Sequence, residues 1–253
     1  FLKGEVVLEL GREFIDSSGA SRSQAVKVTE VPDAGTGADA GAAIEAAQAE
    51  AVLTTAVSDL NSASQIGLVE NFDNTVGAYS ILMPFGGVRQ MSPSMSMVAK
   101  LPSAEGTSLT GTVMSAGYAL KALERDPFVG GAMSVAEAVA KAVLTGASLE
   151  RIHLSCQEYF ERLGTDPLKW QKPFKALLGA LYAMDAFGLG AIGGKDSMSG
   201  TFKDLNVPPT LIAFAAAPVE LNNVISTDFK AEGSTVYLAD VGRDAAGLPD
   251  LAA

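Results

Sequence analysis

The amino-acid sequence predicts an α+β domain, and three observations carry that reading. Strand patterns follow one another at Ser80–Met83, Met95–Leu101 and Ser108–Ala116. Helical patterns then run from Ser134 to Gly146 and from Asp166 to Phe187. Strands and helices alternate without the regular βαβ spacing of a doubly wound sheet. Hydrophobic residues make up 48% and charged residues 19% of 253 positions, enough to bury a core.

Taken in order, Glu5 to Leu10 alternates like a short strand and is followed by Gly11-Arg12-Glu13-Phe14-Ile15-Asp16. Pro32-Asp33-Ala34-Gly35-Thr36-Gly37 interrupts regular structure, and the Ala, Gly and Asp that follow to Gly41 read as a linker with a domain boundary. Ala42 to Leu60 is an Ala-rich helix stopped at Asn61, and Gln65 to Phe72 is a second helix. After the three strands, Ser134 is the expected N-cap, with Glu137 at the third helical position and Gly146 as the stop. Ile152-His153-Leu154 is a brief strand. The next helix opens at Asp166-Pro167, with Pro173 marking a break or second start. Ala191-Ile192 is a short strand leading into the loop Gly193-Gly194-Lys195-Asp196-Ser197. Pro208-Pro209 sets up the apolar strand Leu211 to Ala217, and Thr235 to Ala239 is a last strand.

Composition excludes several function classes. A net charge of −11 is wrong for a nucleic-acid binder, which needs a basic face, but leaves room for a nucleotide held by a few lysines and backbone N–H groups. Cys156 is the sole cysteine, so no internal disulfide or multi-cysteine zinc site forms, in keeping with a reducing cytoplasm. The first ten residues do not read as a signal peptide. The longest apolar stretch, Leu211 to Val219, is too short to span a bilayer. His153 is the sole histidine; it and Cys156 sit in an apolar run that reads as core.

Two phosphate-binding patterns fail on context. Gly188-Leu189-Gly190-Ala191-Ile192-Gly193 matches G-x-G-x-x-G, but a helix precedes it and a strand follows, the reverse of a dinucleotide fingerprint. Gly194-Lys195-Asp196-Ser197 lacks the first glycine of a Walker A loop and has Asp196 where Ser or Thr belongs. What remains is a glycine-rich segment that is either a tight turn or bare backbone offered to a phosphate or metal. Glu137 and Lys141, four apart, read locally as a solvent-facing ion pair.

A longer pattern carries a resemblance. Gly193-Gly194-Lys195-Asp196-Ser197-Met198-Ser199-Gly200-Thr201-Phe202 is preceded, in order, by segments at 64–77, Leu82-Met83-Pro84-Phe85-Gly86-Gly87 and Gln157-Glu158-Tyr159-Phe160-Glu161-Arg162-Leu163-Gly164. Pro208-Pro209-Thr210-Leu211 follows it. Together they resemble the long-chain phosphoribosylformylglycinamidine synthases over nearly the whole chain. The resemblance implies an AIR-synthase N-terminal-domain fold, a mixed sheet with helices on one face. It implies residues 1–41 as the tail of a preceding AIR-synthase-like half with its linker, 42–232 as the second N-terminal-like domain, and 233–253 as the start of a C-terminal-like domain.

The family's reaction takes formylglycinamide ribonucleotide, ATP and glutamine to formylglycinamidine ribonucleotide, with ATP activating the amide oxygen and ammonia from a glutaminase domain displacing phosphate. The resemblance places the catalytic histidines in the first half and the glutaminase cysteine elsewhere, so no catalytic residue falls in this segment, and the segment alone is expected to be inactive. It implies that Gly193 to Ser197 completes the pocket of the other half, with Gly194 at ATP, Lys195 at a phosphate and Ser197 at substrate. It further implies an auxiliary nucleotide site at Ala99, Lys100, Glu137 and Lys141. Lysines stand there at two Mg²⁺-ligand positions and Glu137 alone is kept as a metal ligand, so a metal-free Lys100–Glu137–Lys141 cluster is the expectation. The alternative function is a non-catalytic pairing domain with a degenerate nucleotide site. The expected partners are the other half and the glutaminase domain, with homodimerisation of the isolated segment.

Overall fold

The computed structural model describes residues 3–17, 23–29, 46–60, 62–72, 75, 77–104, 106, 108–239, 242 and 248–251. The linker at 32–41 and the boundary at residue 42 lie outside them. Three helices come first: α1 (Arg12–Ser17), α2 (Ala46–Ser58) and α3 (Ile66–Asn71). The domain then runs β1 (Ser80–Leu82), β2 (Phe85–Gly86), β3 (Ser92–Pro93), β4 (Ser96–Lys100), β5 (Thr110–Gly117), α4 (Leu120–Arg125), α5 (Pro127–Thr145) and β6 (His153–Tyr159). It continues through α6 (Gln171–Phe187), β7 (Ala191–Ser197), β8 (Thr201–Phe202), β9 (Leu205–Asn206) and β10 (Thr210–Glu220).

The main sheet has the order β1-β4-β5-β10-β6-β7. Every pairing is antiparallel except β6 with β7, so the sheet is mixed. Period-two alternation gives each strand two faces. On one, Val98, Val113, Leu154, Leu211, Ala213, Ala215, Ala217 and Val219 are buried beneath the helices. On the other, Met97 and Met114 are 37% and 42% exposed, and Ile212, Phe214, Ala216 and Pro218 are half-buried. The helix-covered face is the core, and full burial of a side chain such as Leu154 or Leu211 is worth about 1.5–3 kcal/mol.

Helix α5 is the centre of that core. By length and composition it could cross a membrane, but it is packed against β5, β10 and α6. Its cap lies eight residues before the expected one at Ser134. Asp126 is the N-cap, its Oδ1 accepting from the Phe128 N–H at 3.0 Å, and Pro127 follows with a fixed φ and no N–H to satisfy. Ser134 is buried inside the helix, donating to the Gly130 carbonyl at 2.9 Å and accepting from the Ala119 N–H at 3.1 Å. The expected stop holds: Gly146 has φ of 122°, a conformation unfavourable to a residue with a Cβ. Hydroxyls pin the sheet to the helix backbone, Ser115 to the Ala138 carbonyl at 2.6 Å and Ser96 to the Lys141 carbonyl at 3.1 Å.

Helix α6 is fixed near its N-terminal end by ion pairs. Lys175 pairs with the capping Asp126 at 2.8 Å. The largely buried Glu161, just after β6, binds Lys172 and, at 2.9 Å, Lys169; these hydrogen bonds hold its carboxyl below the ordinary glutamate range.

Two expected strands are absent. Glu5 forms an isolated bridge, and residues 6–10 are irregular with Val6, Val7 and Leu8 at 55%, 64% and 71% exposure. Residues 235–239 are irregular too, with Val236, Tyr237 and Leu238 exposed. In both, the alternation is there but no strand among the described residues pairs with it, and an unpaired strand is not stable. Ile152–Leu154 is instead the start of a seven-residue strand.

Close approach of α5 and α6 rests on missing side chains. A Cβ at Gly179 would overlap the Phe128 carbonyl oxygen, and one at Gly131 the Ala176 carbonyl oxygen. Both obstacles are backbone, so relief requires the helices to part. Gly179→Ala therefore lowers the unfolding free energy by about 2 kcal/mol or more despite the better helix propensity of alanine. Gly67→Ala on the exposed α3, where nothing lies within 4 Å, does not lower it. Urea denaturation of the two variants checks the contrast.

Candidate functional site

The glycine-rich segment is a strand, not a loop. Gly193 to Ser197 forms most of β7, which pairs in parallel with β6 in the register Ser155–Gly193, Cys156–Gly194, Gln157–Lys195, Glu158–Asp196 and Tyr159–Ser197. As expected, a helix precedes the G-x-G-x-x-G pattern and a strand follows. Gly194 is set by β6, because a Cβ there would lie 2.5 Å from the Cys156 carbonyl oxygen. Gly193 meets open space and leaves bare backbone exposed on the sheet's last strand.

Alternation divides the motif between two faces. Lys195 and Ser197 share the face of Gln157 and Tyr159; the Lys195 ammonium lies 4.2 Å from the centre of the Tyr159 ring, and the Tyr159 hydroxyl donates to Gln157 Oε1 at 2.8 Å. Gly194 and Asp196 share the helix-side face with Cys156 and Glu158. There a cavity of about 640 Å³ opens between the β6–β7 edge and α6, walled by Leu177, Leu181, Met184 and Leu189. Glu158 is 9% exposed and its Oε1 has no hydrogen-bond partner. Burial, and then the charge of Asp196, push its carboxyl up to about 7. Burial, and then Glu158, raise the Cys156 thiol to about 11. Cys156 is half-buried, packed against the core at the cavity wall, whereas His153 is exposed at the start of β6 and is not the core residue its apolar neighbours suggested. The signal that would have found Glu158 is its place at an inward position of an apolar strand.

The auxiliary site assembles only in part. Glu137 Oε1 pairs with Lys141 Nζ at 2.5 Å, Oε2 accepts from the Tyr118 N–H at 2.9 Å, and Lys141 also donates to the Ala116 carbonyl at 3.0 Å. Lys100 does not join them. It pairs across the sheet with Gly111, whereas Glu137 binds Tyr118 just past the far end of β5, seven residues on and roughly 23 Å away at about 3.3 Å per residue. The expected three-membered cluster is therefore a Glu137–Lys141 pair held by backbone groups. Ala99 faces the opposite side of the sheet from Lys100. Mg²⁺ does not fit this donor set: both Glu137 oxygens are engaged, one by an ammonium, and no group of three His, Cys, Asp or Glu able to hold a metal occurs among the described residues.

This arrangement, a mixed six-stranded sheet carrying its helices on one face, is the AIR-synthase-like fold. Among solved structures, PurL of Thermotoga maritima complexed with AMPPCP matches with a TM-score of 0.56 and 16% identity, covering 87% of this chain and 32% of that one. PurLQS from Thermotoga maritima matches with a TM-score of 0.51 and 20% identity, over 64% of this chain and 25% of that one. Phosphoribosylformylglycinamidine synthase II of the same organism gives 0.47 and 21%, over 61% and 23%. The fold assignment rests on the first two. This chain spans only a quarter to a third of the length of those proteins. No family model and no curated protein matches it.

The environment of Cys156 sets its reactivity. With a thiol near 11, about 0.1% is thiolate at pH 8, against roughly a quarter for an ordinary cysteine. Alkylation by iodoacetamide at pH 8 is expected to be at least about a hundredfold slower in the folded chain than in urea. A native rate within tenfold of the denatured rate would contradict this environment.

Proposed function

We propose that this chain is a working segment of a phosphoribosylformylglycinamidine synthase, the ATP-dependent ligase that turns formylglycinamide ribonucleotide into its amidine. The carrying observation is the division of β7. Lys195 and Ser197 stand on the sheet's uncovered face beside the open Gly193, available to a neighbour, while Gly194 seats the strand against β6. The AIR-synthase-like fold, shared with a PurL structure that holds an ATP analogue, and the order of the motifs support the same reading.

In this reading residues 1–41 close a preceding half, 42–232 form the second N-terminal-like domain, and 233–253 open a C-terminal-like domain. The uncovered sheet face, with Met97, Met114 and Phe214, packs on the twin domain of the first half. Gly193 to Ser197 then reach that half's pocket in the cytoplasmic enzyme. ATP supplies the phosphoryl group that activates the amide oxygen. Bare backbone at Gly193, beside Gly194, leaves room for its phosphates, Lys195 offers a point charge to them, and Ser197 offers a hydroxyl to substrate. In this reading Glu137, with both oxygens engaged, holds no Mg²⁺. The tied Glu137–Lys141 pair supports a second, compatible role, in which the chain's own nucleotide site is vestigial and the domain braces its twin.

Lys195→Met in the full-length enzyme should lower kcat/KM for amidine formation ten- to hundredfold, the about 1.5–3 kcal/mol of a charge-assisted hydrogen bond. The isolated chain should form no product from ammonia and ATP. Wild-type turnover by the variant, or product from the isolated chain, would overturn the reading.

The pairing reading has its own test. The isolated chain should be a two-fold dimer in light scattering, because a bare apolar sheet face favours association. Met114→Glu on that face should give monomers. A wild-type chain that is monomeric at high concentration would refute the pairing.

A further inference from the structure

The cavity beside α6 opens on the helix side of β7, whose residues Gly193 to Asp196 it shares with the proposed phosphate-binding segment, and its chemistry is specific. Its wall is apolar: Leu177, Leu181 and Met184 project from one side of α6. Its polar groups are acidic. Glu158 and Asp196 stand directly opposite each other on β6 and β7, and Asp185 borders the cavity from α6. Like charges facing across a strand pair repel, and among the described residues neither carboxylate forms an ion pair. Lys195, next in sequence, sends its ammonium to the Tyr159 ring on the other face.

The second observation is the Glu158 side chain itself. It is nine-tenths buried, its Oε1 has no hydrogen-bond partner, and it belongs to the cavity wall. A buried carboxylate oxygen left without a donor is costly, and Glu158 lines a cavity from which a donor outside the chain can approach its carboxylate. A metal ion is a poor candidate, since no metal-ligating group of three occurs among the described residues. A neutral apolar ligand would leave the oxygen unsatisfied.

We propose that this cavity binds an organic ammonium with an apolar stem, the charged head between Glu158 and Asp196 and the stem along Leu177, Leu181 and Met184. The head donates N–H bonds to the Glu158 carboxylate and screens the facing carboxylates, and the stem displaces water from the leucine wall. The proposed head position lies on the helix side of β7, opposite the Lys195–Tyr159 contact, and the proposal stands whether or not the ligase reading holds.

The charged groups around Glu158 set the pH dependence. Cys156 from its own strand, Asp196 and Lys195 from β7 and Asp185 from α6 are the titratable groups at the cavity. Cys156 stays protonated below its raised pKa of about 11, and Glu158 ionises near 7. Raising the pH from 6 to 8 therefore charges Glu158 while the alkylammonium stays charged, and binding tightens.

The test is titration of the chain with n-hexylammonium chloride and, in parallel, n-hexanol, followed by calorimetry and by NMR of the leucine methyl groups. The expected result is saturable binding of hexylammonium at pH 8, weaker by about tenfold at pH 6, with hexanol binding more weakly and without pH dependence. Glu158→Gln with Asp196→Asn should weaken hexylammonium by about tenfold or more and leave hexanol unchanged, so a correctly folded variant is recognised by its hexanol binding. Equal affinity for hexanol and hexylammonium at pH 8 would reduce the cavity to an apolar groove and overturn the proposal. So would no saturable hexylammonium binding at pH 8, or unchanged hexylammonium binding in the double variant. The first and second of these comparisons need only the wild-type chain.

Discussion

The parallel pairing of β7 onto β6 governs where the chemistry of this chain points. A strand displays alternate residues on opposite faces, so fixing one pair in register fixes all. With Cys156 opposite Gly194, the chain must present Lys195 and Ser197 on one side of the sheet and Asp196 on the other. A shift of one residue would bring the lysine to the helix side, against Glu158, and turn the aspartate outward. The register is protected at Gly194, where the Cys156 carbonyl oxygen occupies the place of a Cβ. Glycine at this position is thus a packing requirement of the strand, and the bare backbone it leaves is a by-product available for binding.

The sheet in turn is held by α5, which is wedged between strands and α6 by small residues. Ser96 and Ser115 hydrogen-bond to its backbone, so the strands sit close enough for hydroxyls to reach carbonyls. Glycines at 131 and 179 let the second helix approach to backbone contact. The consequence reaches the cavity: α6 is positioned by its α5 contacts, and it supplies the leucine wall facing Glu158. Interior packing and the shape of the binding surface are therefore not separable here, because interiors at this density transmit a shift in one helix to its neighbours.

Much of this was legible in the sequence where local pattern and tertiary packing agree. The strands near residues 80, 96, 110 and 210 and the α6 helix carry an unambiguous period, and the structure keeps them. Ser134 is not the cap because a stronger signal, Asp126-Pro127, opens the same helix eight residues upstream. The glycine-rich run was read as a loop because glycine weakens a strand in isolation, yet β6 supplies a ladder that outweighs the propensity. The strands at 5–10 and 235–239 failed for the opposite reason, a good pattern with no partner. At the auxiliary site, four residues were brought together by resemblance, and geometry unites only Glu137 with Lys141. Lys100 lies at the other end of β5, a distance that sequence position does not reveal.

The two lysines singled out by the motifs differ in what they must give up to meet a phosphate. Lys141 is bonded to a carboxylate and a backbone carbonyl and is three-quarters buried. Moving its charge onto a ligand would strand Glu137 beside an incoming polyanion and leave the Ala116 carbonyl short of a donor, two penalties of about 1–3 kcal/mol each. Lys195 is exposed and rests only against the Tyr159 ring, a contact worth about 0.5–1 kcal/mol at a surface. In a chain of net charge −11, a cation that can be released so easily is the one an anionic ligand will recruit. The energetics thus point away from the chain's own auxiliary site and toward the uncovered face, where a second domain would have to supply the rest of the pocket.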